Sequence, residues 1–177
     1  MTEVGPASGP VRRTPEELGS LVRRAQKGDT MAVSELMEIL APYVGRVCGP
    51  IALQDGADAA QEAMIAIFKG IHQLKTPEAL FGWARAIAAR EAVRMARKNQ
   101  RTVPSELVEE PDPRDAELAA DIEDTLAKLS PEHRAVLVMR HIEGLDEQTV
   151  AGLLDMPVGT VRSRLYRARS MFRRAWT

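Results

Sequence analysis

The sequence contains little cysteine, few aromatic residues and no long apolar run. One cysteine, Cys48, among 177 residues excludes a disulfide framework and a multi-cysteine zinc site, and it fits a reducing cytoplasm. Aromatic residues make up only 4% of the chain, which favours aliphatic helix packing over a β-sandwich. No run approaches the roughly 18–20 apolar residues that span a bilayer. The stretch MTEVGPASGPVRRTPEE lacks the apolar segment of a secretory signal. We therefore expect a soluble intracellular protein.

Apolar residues instead recur at helical spacing, and no stretch alternates apolar and polar residues with period two. Thr14, followed by a proline and two glutamates, predicts the first helix start. A third helix is expected from about 57 to 73 and a fourth from about 77 to 98. Pro42 is compatible with a boundary or a kink. The stretch GPIALQDG is interpreted as a turn-rich connection.

A proline-rich, acidic stretch follows, and helical spacing then resumes. Ser130-Pro131-Glu132 predicts a helix start and Gly144 its end, with further helices around 146–154 and 158–174. The prediction is an all-α fold with two small helical domains joined by a flexible acidic linker. Its parts are a flexible leader at 1–13, a first domain at 14–101, the linker at 102–116 and a second domain at 117–177.

The charge distribution is uneven although the net charge is only −1. Residues 69–101 carry eight Lys/Arg against two Glu, a net charge of +6. Residues 102–126 carry nine acids against one Arg, a net charge of −8, and residues 158–177 carry six Arg and no acid, a net charge of +6. Two basic patches, one in each predicted domain, indicate two contacts with one polyanion.

The segment LDEQTVAGLLDMPVGTVRSRLYRAR has the spacing of a helix-turn-helix. Asp146 is expected to cap its first helix, and Asp155-Met156-Pro157 is expected to form the turn. The predicted inward stripe of the second helix is Val161, Leu165, Ala168 and Phe172, and a second face carries Arg162, Tyr166, Arg169 and Arg173. Arginine pairs with guanine edges or clamps phosphates, so this helix is predicted to enter a DNA groove.

Two other settings are open to such a basic amphipathic helix. It could be an ordinary solvated face, or it could lie on anionic lipid. The preceding turn and the packed first helix disfavour the lipid surface. DNA binding is the favoured interpretation.

At this point the residues resemble a known family, the extracytoplasmic-function sigma factors, which are the smallest sigma subunits of bacterial RNA polymerase. LSPEHRAVLVMRHIEGLDEQTVAGLLDMPVGTVRSRLYRAR resembles their region four over its whole length. VRRAQKGDTMAVSELMEILAPYVGRV resembles the opening of region two, and DGADAAQEAMIAIFKGI resembles its polymerase-binding helix. ALFGWARAIAAREAVRMARKNQR resembles the helix after the promoter-melting loop.

The resemblance implies a sigma factor that brings RNA polymerase core to specific promoters, binding the clamp helices of the largest subunit and the flap. The resemblance also allows an anti-sigma factor as a partner, and no membrane insertion is expected. The residues expected to read the minus-thirty-five element are Val158, Gly159, Thr160, Arg162, Ser163, Tyr166, Arg167 and Arg169. Those expected at the minus-ten region are Gln73, Lys75, Thr76, Arg90, Arg94, Arg97 and Arg101. Those expected at the polymerase are Asp55, Asp58, Gln61, Glu62 and Ile65.

The residues on their own give a compatible interpretation of the third helix. Its buried face is predicted to be formed by Ala60, Met64, Ile67 and Phe68, with Asp58, Glu62, Ile65 and Lys69 opposite. Phe81 and Trp83 could stack on bases. The spacing of Trp83 with Ile87 favours the core instead.

Other functions fit the sequence less well. His141-Ile142-Glu143 has the H-x-E spacing of zinc deaminases, but their Cys-x-x-Cys partner requires more than one cysteine. His133, in the first turn of its helix, is interpreted as a solvated residue. We expect no enzymatic activity, no metal and no cofactor. A stand-alone helix-turn-helix regulator that binds duplex DNA without polymerase is the alternative, and a protein-binding helical adaptor is disfavoured by the two basic patches.

Overall fold

The computed structural model describes residues 13–99 and 113–176, except for the side chains of 113–119 and of residue 176. In these residues the chain is all helical, without strands. The first unit consists of α1 (Pro15–Gln26), α2 (Thr30–Ala52), α3 (Gly56–Gly70) and α4 (Leu80–Asn99). The second unit consists of α5 (Pro113–Ala127), α6 (Pro131–Leu137), α7 (Glu147–Leu153) and α8 (Val158–Trp176). Short 3-10 turns at Leu53–Asp55, Ile71–Gln73 and Pro77–Ala79 connect the helices of the first unit.

Helix α1 begins as the sequence predicts. The Thr14 hydroxyl accepts the amide of Glu17, and the Glu17 carboxylate accepts the amide of Thr14, which is a complete capping box. The N-cap of α2 is Asp29, whose carboxylate accepts the Ala32 amide. The buried face of α1 carries Leu21, Val22 and Ala25, which lie in the core.

Helix α2 has no boundary at Pro42, where the sequence is compatible with a boundary or a kink, and it contradicts the predicted turn-rich connection. It continues through Pro42, and Pro50 also lies inside it, so most of the predicted turn-rich connection is helical. A proline inside a helix costs about 3 kcal/mol through a lost hydrogen bond and steric conflict. The buried stripe continues at helical spacing past both prolines, and its burial outweighs that cost. This stripe is Leu36, Leu40, Val44, Val47 and Ile51.

The buried face of α3 also differs from the prediction. Ala59, Ala63 and Ile67 are buried, Ala60 and Met64 are half-buried, and the Phe68 side chain is 53% exposed. Small alanines face α2 and α4 because these helices pack closely. A Cβ built on Gly56 would lie 2.9 Å from the Cα of Gly49 in α2. The helices therefore approach at a distance that excludes larger side chains.

In the second unit, α6 is followed directly by a π turn, Val138–Ile142, and the chain then reverses at Gly144 with φ +68. Between α7 and α8, Asp155 takes φ +50, a left-handed conformation that aspartate tolerates better than most residues. Helix α5 begins at Pro113, inside the segment predicted to be the linker. The predicted helices at 146–154 and 158–174 are confirmed as α7 and α8.

The two units pack against each other, and most of their buried apolar residues form one continuous cluster. Helix α6 contacts both α2 and α4. Arg134 of α6, only 3% exposed, donates from Nε to the Ile51 carbonyl at the end of α2. On the rim, Arg97 of α4 pairs with Glu132. The structure is thus a closed arrangement of two helical domains.

One stretch, Thr30–Gln73, is long and apolar enough by length and composition to cross a membrane. It comprises α2 and α3, whose apolar faces build the core of the first unit. Core helices of soluble proteins commonly pass such a test, so this stretch is weak support for a span.

Candidate DNA and polymerase interfaces

Helix α8 presents a polar face to solvent above a buried stripe. Val161, Leu165 and Ala168 are buried as predicted, and Phe172 is half-buried. The Tyr166 side chain is 75% exposed. The other predicted reading residues divide into exposed Gly159, Arg162, Ser163, Arg167 and Arg169, and half-buried Val158 and Thr160. The structure therefore places all eight within the stretch of α8 from Val158 to Arg169.

Two arginines on this face are held by neighbours from preceding segments. Arg162 donates from Nε to the Glu147 carboxylate of α7 at 2.7 Å. Arg169 donates from Nε to Nε2 of His141 at 3.1 Å. Burial, followed by the nearby Arg169 charge, lowers the pKa of His141, which favours the neutral imidazole that can accept this bond. Neither partner was predicted from the sequence, because each comes from a different turn of the chain.

The N-terminus of α7 fixes the position of the helix pair α7 and α8. The Asp146 carboxylate accepts the Thr149 amide at 2.9 Å and the Thr149 hydroxyl at 2.8 Å, which confirms the predicted cap. These hydrogen bonds, the backbone one first, hold the pKa of Asp146 below its ordinary value. Val150 and Ala151 are buried on α7. The N-terminal cap and the buried residues of α7 therefore hold this helix in place against α8.

The loop predicted to contact the minus-ten element lies between the 3-10 turns of the first unit. Gln73, Lys75 and Thr76 are exposed, and Leu74 between them is buried. Gln26 of α1 donates from Nε2 to the carbonyls of Ile71 at 2.9 Å and of Leu74 at 2.8 Å. Gln26 therefore fixes the loop backbone from a distant point in the sequence. No local motif indicates this role.

Helix α4 carries the predicted stripe, with Arg90, Arg94 and Arg97 exposed, while Arg101 lies outside the described residues. Arg94 pairs with Glu91 at 2.6 Å and approaches Glu62 at 3.7 Å. The stripe borders a cleft of about 610 Å³ between the two units. Lys98 and Arg164 add positive charge to its lining, and Glu132 and Asp155 add negative charge.

Helix α3 presents Asp58, Gln61 and Glu62 to solvent, with Ile65 41% exposed beside them. Phe68, predicted to be buried, extends this exposed face. Asp55 lies apart in the preceding 3-10 turn, half-buried, where its Oδ1 accepts from Nδ2 of Asn99 at 2.6 Å. We name the exposed set of Asp58, Gln61, Glu62, Ile65 and Phe68 the α3 surface.

A mostly apolar groove of about 640 Å³ crosses the second unit between α5, the π turn and α8. Ile142, 66% exposed, stands at the groove, and Ile122 is 38% exposed. The remaining apolar lining is Leu126, Leu137, Val138 and Phe172. Sequence reasoning missed this groove because its lining comes from three helical segments.

His133 is half-buried rather than solvated, and its Nδ1 lies 2.7 Å from the Ser130 hydroxyl. Burial lowers the pKa of this imidazole. In the part of the chain that the structure describes, no group of three or more His, Cys, Asp or Glu side chains could hold a metal ion. Cys48 is buried, its thiol donating to the Ala88 carbonyl, and burial raises its pKa to about 12.

Two family models match the two units. Residues 36–102 match sigma-70 region 2, and residues 119–172 match sigma-70, region 4. A stand-alone helix-turn-helix regulator would lack the first of these regions. The double match therefore favours a sigma factor over that alternative.

Curated relatives cover nearly the whole chain. The ECF RNA polymerase sigma-E factor of Haemophilus influenzae is 29% identical in an alignment that covers 86% of this chain and 91% of the relative. The RNA polymerase sigma-H factor of Pseudomonas aeruginosa is 29% identical in an alignment that covers 92% of this chain and 95% of the relative. The ECF RNA polymerase sigma-E factor of Escherichia coli K12 is 28% identical, covering 84% and 88%.

Two solved structures share the fold. CnrH, solved with the cytosolic domain of CnrY, superposes with a TM-score of 0.62 at 21% identity, covering 88% of this chain and 94% of its own. The sigma factor RpoE, solved with the anti-sigma factor NepR from Bartonella quintana, superposes with a TM-score of 0.65 at 16% identity, covering 80% and 94%. With both regions matched in order, this chain belongs to the extracytoplasmic-function sigma factors, which direct bacterial RNA polymerase to specific promoters.

Proposed function

We propose that the two units divide promoter recognition between them. The exposed half of α8 reads the minus-thirty-five element, with Arg162 and Tyr166 at base edges and Arg167 on phosphates. The observation that supports this most is the placement of all eight predicted reading residues on α8 between Val158 and Arg169, seven of them in its N-terminal half. A helix N-terminal half of this kind is the part that enters the major groove in helix-turn-helix proteins.

The first unit, in this proposal, binds and helps to open the minus-ten element. Gln73, Lys75 and Thr76 are exposed on a loop whose backbone is held by Gln26, so they are presented in a fixed arrangement. A rigid loop loses little conformational entropy when it holds a base extruded from the duplex. Arg90, Arg94 and Arg97 follow the phosphate backbone, which gives position but little sequence preference.

Polymerase docking is proposed at two surfaces. The α3 surface combines acidic side chains with two exposed apolar ones, which suits a basic partner helix pair with apolar contacts, and we assign it to the clamp helices. The apolar groove of the second unit has the shape that takes an amphipathic helix, and we assign it to the flap. An anti-sigma factor would compete for these same surfaces.

Promoter binding requires the closed arrangement to open. Elements named minus-ten and minus-thirty-five lie about 25 base pairs apart, or about 85 Å at 3.4 Å per base pair. Units in direct contact cannot cover that distance. We therefore propose that residues 14–101 and 117–177 act as separate domains on the promoter, joined through 102–116.

The protein itself supplies binding and melting, while nucleotide addition belongs to the polymerase, so we propose no enzymatic role. Its site of action is the cytoplasm, where core polymerase and chromosomal DNA are located.

Reconstituted transcription tests the proposal. The full chain is added to core polymerase, and transcripts from genomic fragments are sequenced at their 5′ ends. The expected result is initiation from a restricted set of promoters that share sequence at both elements. Initiation that does not depend on the added chain would overturn the proposal. Tight binding to duplex DNA without polymerase would support the stand-alone regulator instead.

A further inference from the structure

Glu143, at the end of the π turn, inserts a carboxylate of the second unit into the first. Its Oε2 accepts from the Tyr43 hydroxyl at 2.9 Å and from Nη1 of Arg85 at 3.1 Å. The Arg85 and Glu143 side chains are only 19% and 15% exposed. Two donors from α2 and α4 therefore converge on a single oxygen atom.

The guanidinium of Arg85 is only partly satisfied by this contact. Its Nε is buried and has no hydrogen-bond acceptor among the residues that the structure describes. Buried polar atoms are nearly always hydrogen-bonded, so an unpaired donor here requires an explanation. Arginine binds phosphate and carboxylate best when two parallel bonds form, and Glu143 uses only one of the two positions.

Aromatic groups complete the surroundings. The rings of Tyr43 and Phe81 meet edge to face, with centroids 5.1 Å apart. Phe81 is 37% exposed and lies one helical turn before Arg85 on α4. The guanidinium of Arg46 lies 5.8 Å from the Tyr43 ring centroid and adds positive charge. The loop that presents Lys75 and Thr76 is joined to the start of α4, and so to Phe81, by the 3-10 turn Pro77–Ala79.

We propose that Tyr43, Phe81 and Arg85 form a binding site for a phosphodiester group of the opened promoter strand, and that Glu143 covers this site in the closed arrangement. This inference rests on the proposed function, in which the first unit binds the melted minus-ten strand. It adds Tyr43 and Arg85 as phosphate-binding residues, which neither the sequence motifs nor the resemblance singled out, beside Phe81 as a stacking residue.

The Glu143 carboxylate, held by the second unit, accepts from Arg85 through Oε2 alone, whereas a phosphodiester group of DNA is not held in that position. A phosphodiester carries two non-bridging oxygens around one phosphorus, so it can accept from Nη1 and Nε of Arg85 together, with the Tyr43 hydroxyl as a third donor. The exposed face of Phe81 remains available to stack on the neighbouring base. Because the units must separate on the promoter, Glu143 leaves at the step at which the DNA strand arrives.

The alternative is that the contact only holds the units together. Both interpretations predict that Glu143→Gln binds DNA more tightly. The substitution removes a negative charge that either competes with phosphate or holds the two units together. The two interpretations predict opposite changes in DNA affinity for Arg85→Gln. If Arg85 only holds the two units together, its loss separates the units and tightens DNA binding. If Arg85 binds phosphate, its loss weakens DNA binding.

The experiment measures binding of the full chain to a fluorescently labelled, mixed-sequence, single-stranded DNA of about 20 nucleotides by anisotropy, over a series of salt concentrations. Glu143→Gln is expected to bind several-fold more tightly than the natural chain. Arg85→Gln is expected to bind several-fold more weakly and to reduce the salt slope by about 0.7, the loss of one phosphate contact. The double variant should lose the gain of Glu143→Gln. Circular dichroism melting verifies that each variant is folded.

Arg85→Lys and Tyr43→Phe complete the set. Lysine keeps the charge without the paired donors, so its affinity should lie between those of the natural chain and Arg85→Gln. Tighter binding by Arg85→Gln, or a full gain of affinity in the double variant, would overturn the inference and leave only a latch. Unchanged affinity in all variants would overturn both the site and the latch. Promoter-directed transcription by the natural chain is scored separately, so this inference can fail while the proposed function stands.

Discussion

The Arg134 guanidinium donates from Nε to the carbonyl oxygen of Ile51 at 2.6 Å, across the boundary between the two units. Its Nη1 donates to the carbonyls of Leu129 at 2.9 Å and Leu126 at 3.3 Å. The Ile51 and Leu126 carbonyls lie in the last turns of α2 and α5, and the Leu126 carbonyl also accepts the Leu129 amide at 2.9 Å. One buried cation thus donates to carbonyls at two helix C-termini and interacts favourably with both helix dipoles. Burial lowers the pKa of Arg134, which nonetheless remains charged.

Replacing Arg134 with methionine should therefore be strongly destabilising. The carbonyls of Ile51 and Leu129 lose the Arg134 donor, whereas the Leu126 carbonyl still accepts the Leu129 amide at 2.9 Å. Each buried carbonyl left without a donor costs about 1–3 kcal/mol. We expect a loss of roughly 2–5 kcal/mol in the free energy of unfolding, measured by urea denaturation. Arg140→Met is the control, because Arg140 makes a single bond, to Leu145 within the second unit. Equal losses for both variants would contradict the bridging role.

Two glycines of the first unit, Gly56 and Gly45, should change the stability in opposite directions when they are replaced by alanine. Gly56→Ala places a Cβ 2.9 Å from the Cα of Gly49, so α2 and α3 must move apart. We expect about 1–3 kcal/mol of lost stability, as for other overpacked positions. Gly45→Ala, in the middle of α2, meets no atom within 4 Å and should gain about 0.5–1 kcal/mol from reduced backbone entropy. Thermal melting of both variants checks the pair, and stabilisation by Gly56→Ala would contradict the close helix crossing.

Asp146 should make the stability of the second unit depend on acid pH. Its pKa is lowered in the folded state, so the carboxylate contributes stability at pH values above its ordinary pKa of 3.8. That contribution is lost as the pH falls through the lowered folded pKa. Asp146→Asn keeps a capping oxygen but does not titrate. We expect the melting temperatures of the two proteins to converge as the pH is lowered from 7 to 3, and parallel curves would exclude this contribution.

Replacing Arg162 and replacing Arg94 should lower transcription in different ways across a set of promoters. Arg162→Ala removes a proposed base contact and should lower transcription strongly at some promoters and weakly at others, with about 1–3 kcal/mol of discrimination lost. Arg94→Ala removes a proposed phosphate contact and should lower binding similarly at all promoters. Transcript abundance over many promoters measures this difference. Equal losses of transcription at all promoters for both variants would contradict the assignment of Arg162 to a base and Arg94 to a phosphate.

The α3 surface should contribute to polymerase affinity. Phe68 is 53% exposed, and burying such a side chain in a partner is worth about 1.5–3 kcal/mol. Phe68→Ser should therefore weaken core binding by roughly 10- to 100-fold, measured by fluorescence titration. Met31→Ser is the matched control, because Met31 is 73% exposed but lies on α2, outside the α3 surface. A similar loss in both variants would contradict docking at α3.

The helices and their starts were predictable because their signals are local. Thr14, Asp146 and Ser130 are side chains that cap the next turn, and the structure confirms all three. The inward stripe of α8 was equally accessible, since a period of 3.6 residues can be read within one helix.

The errors arose where packing outweighed local preference. Pro42 and Pro50 suggest breaks, but a long buried face keeps α2 continuous. Phe68 was assigned to the core by its helical spacing, but the buried face of α3 follows Ala59, Ala63 and Ile67 and leaves Phe68 53% exposed. The roles of Gln26, Arg134 and Glu143 depend on residues 45 or more positions away, and no pattern in a single sequence reports such contacts.

The π turn at Val138–Ile142 has a consequence for how the two units fit together. Such a turn is an α-helix that has accommodated one inserted residue, and each residue of an α-helix advances the side chains by about 100°. The direction of Glu143 is therefore set by a single extra residue. Deleting Arg140 should restore a regular helix and rotate Glu143 away from Tyr43. Burial, first, and the Glu143 contact raise the pKa of Tyr43 to about 12, so an ultraviolet titration of its phenol should register the change as a fall in that pKa.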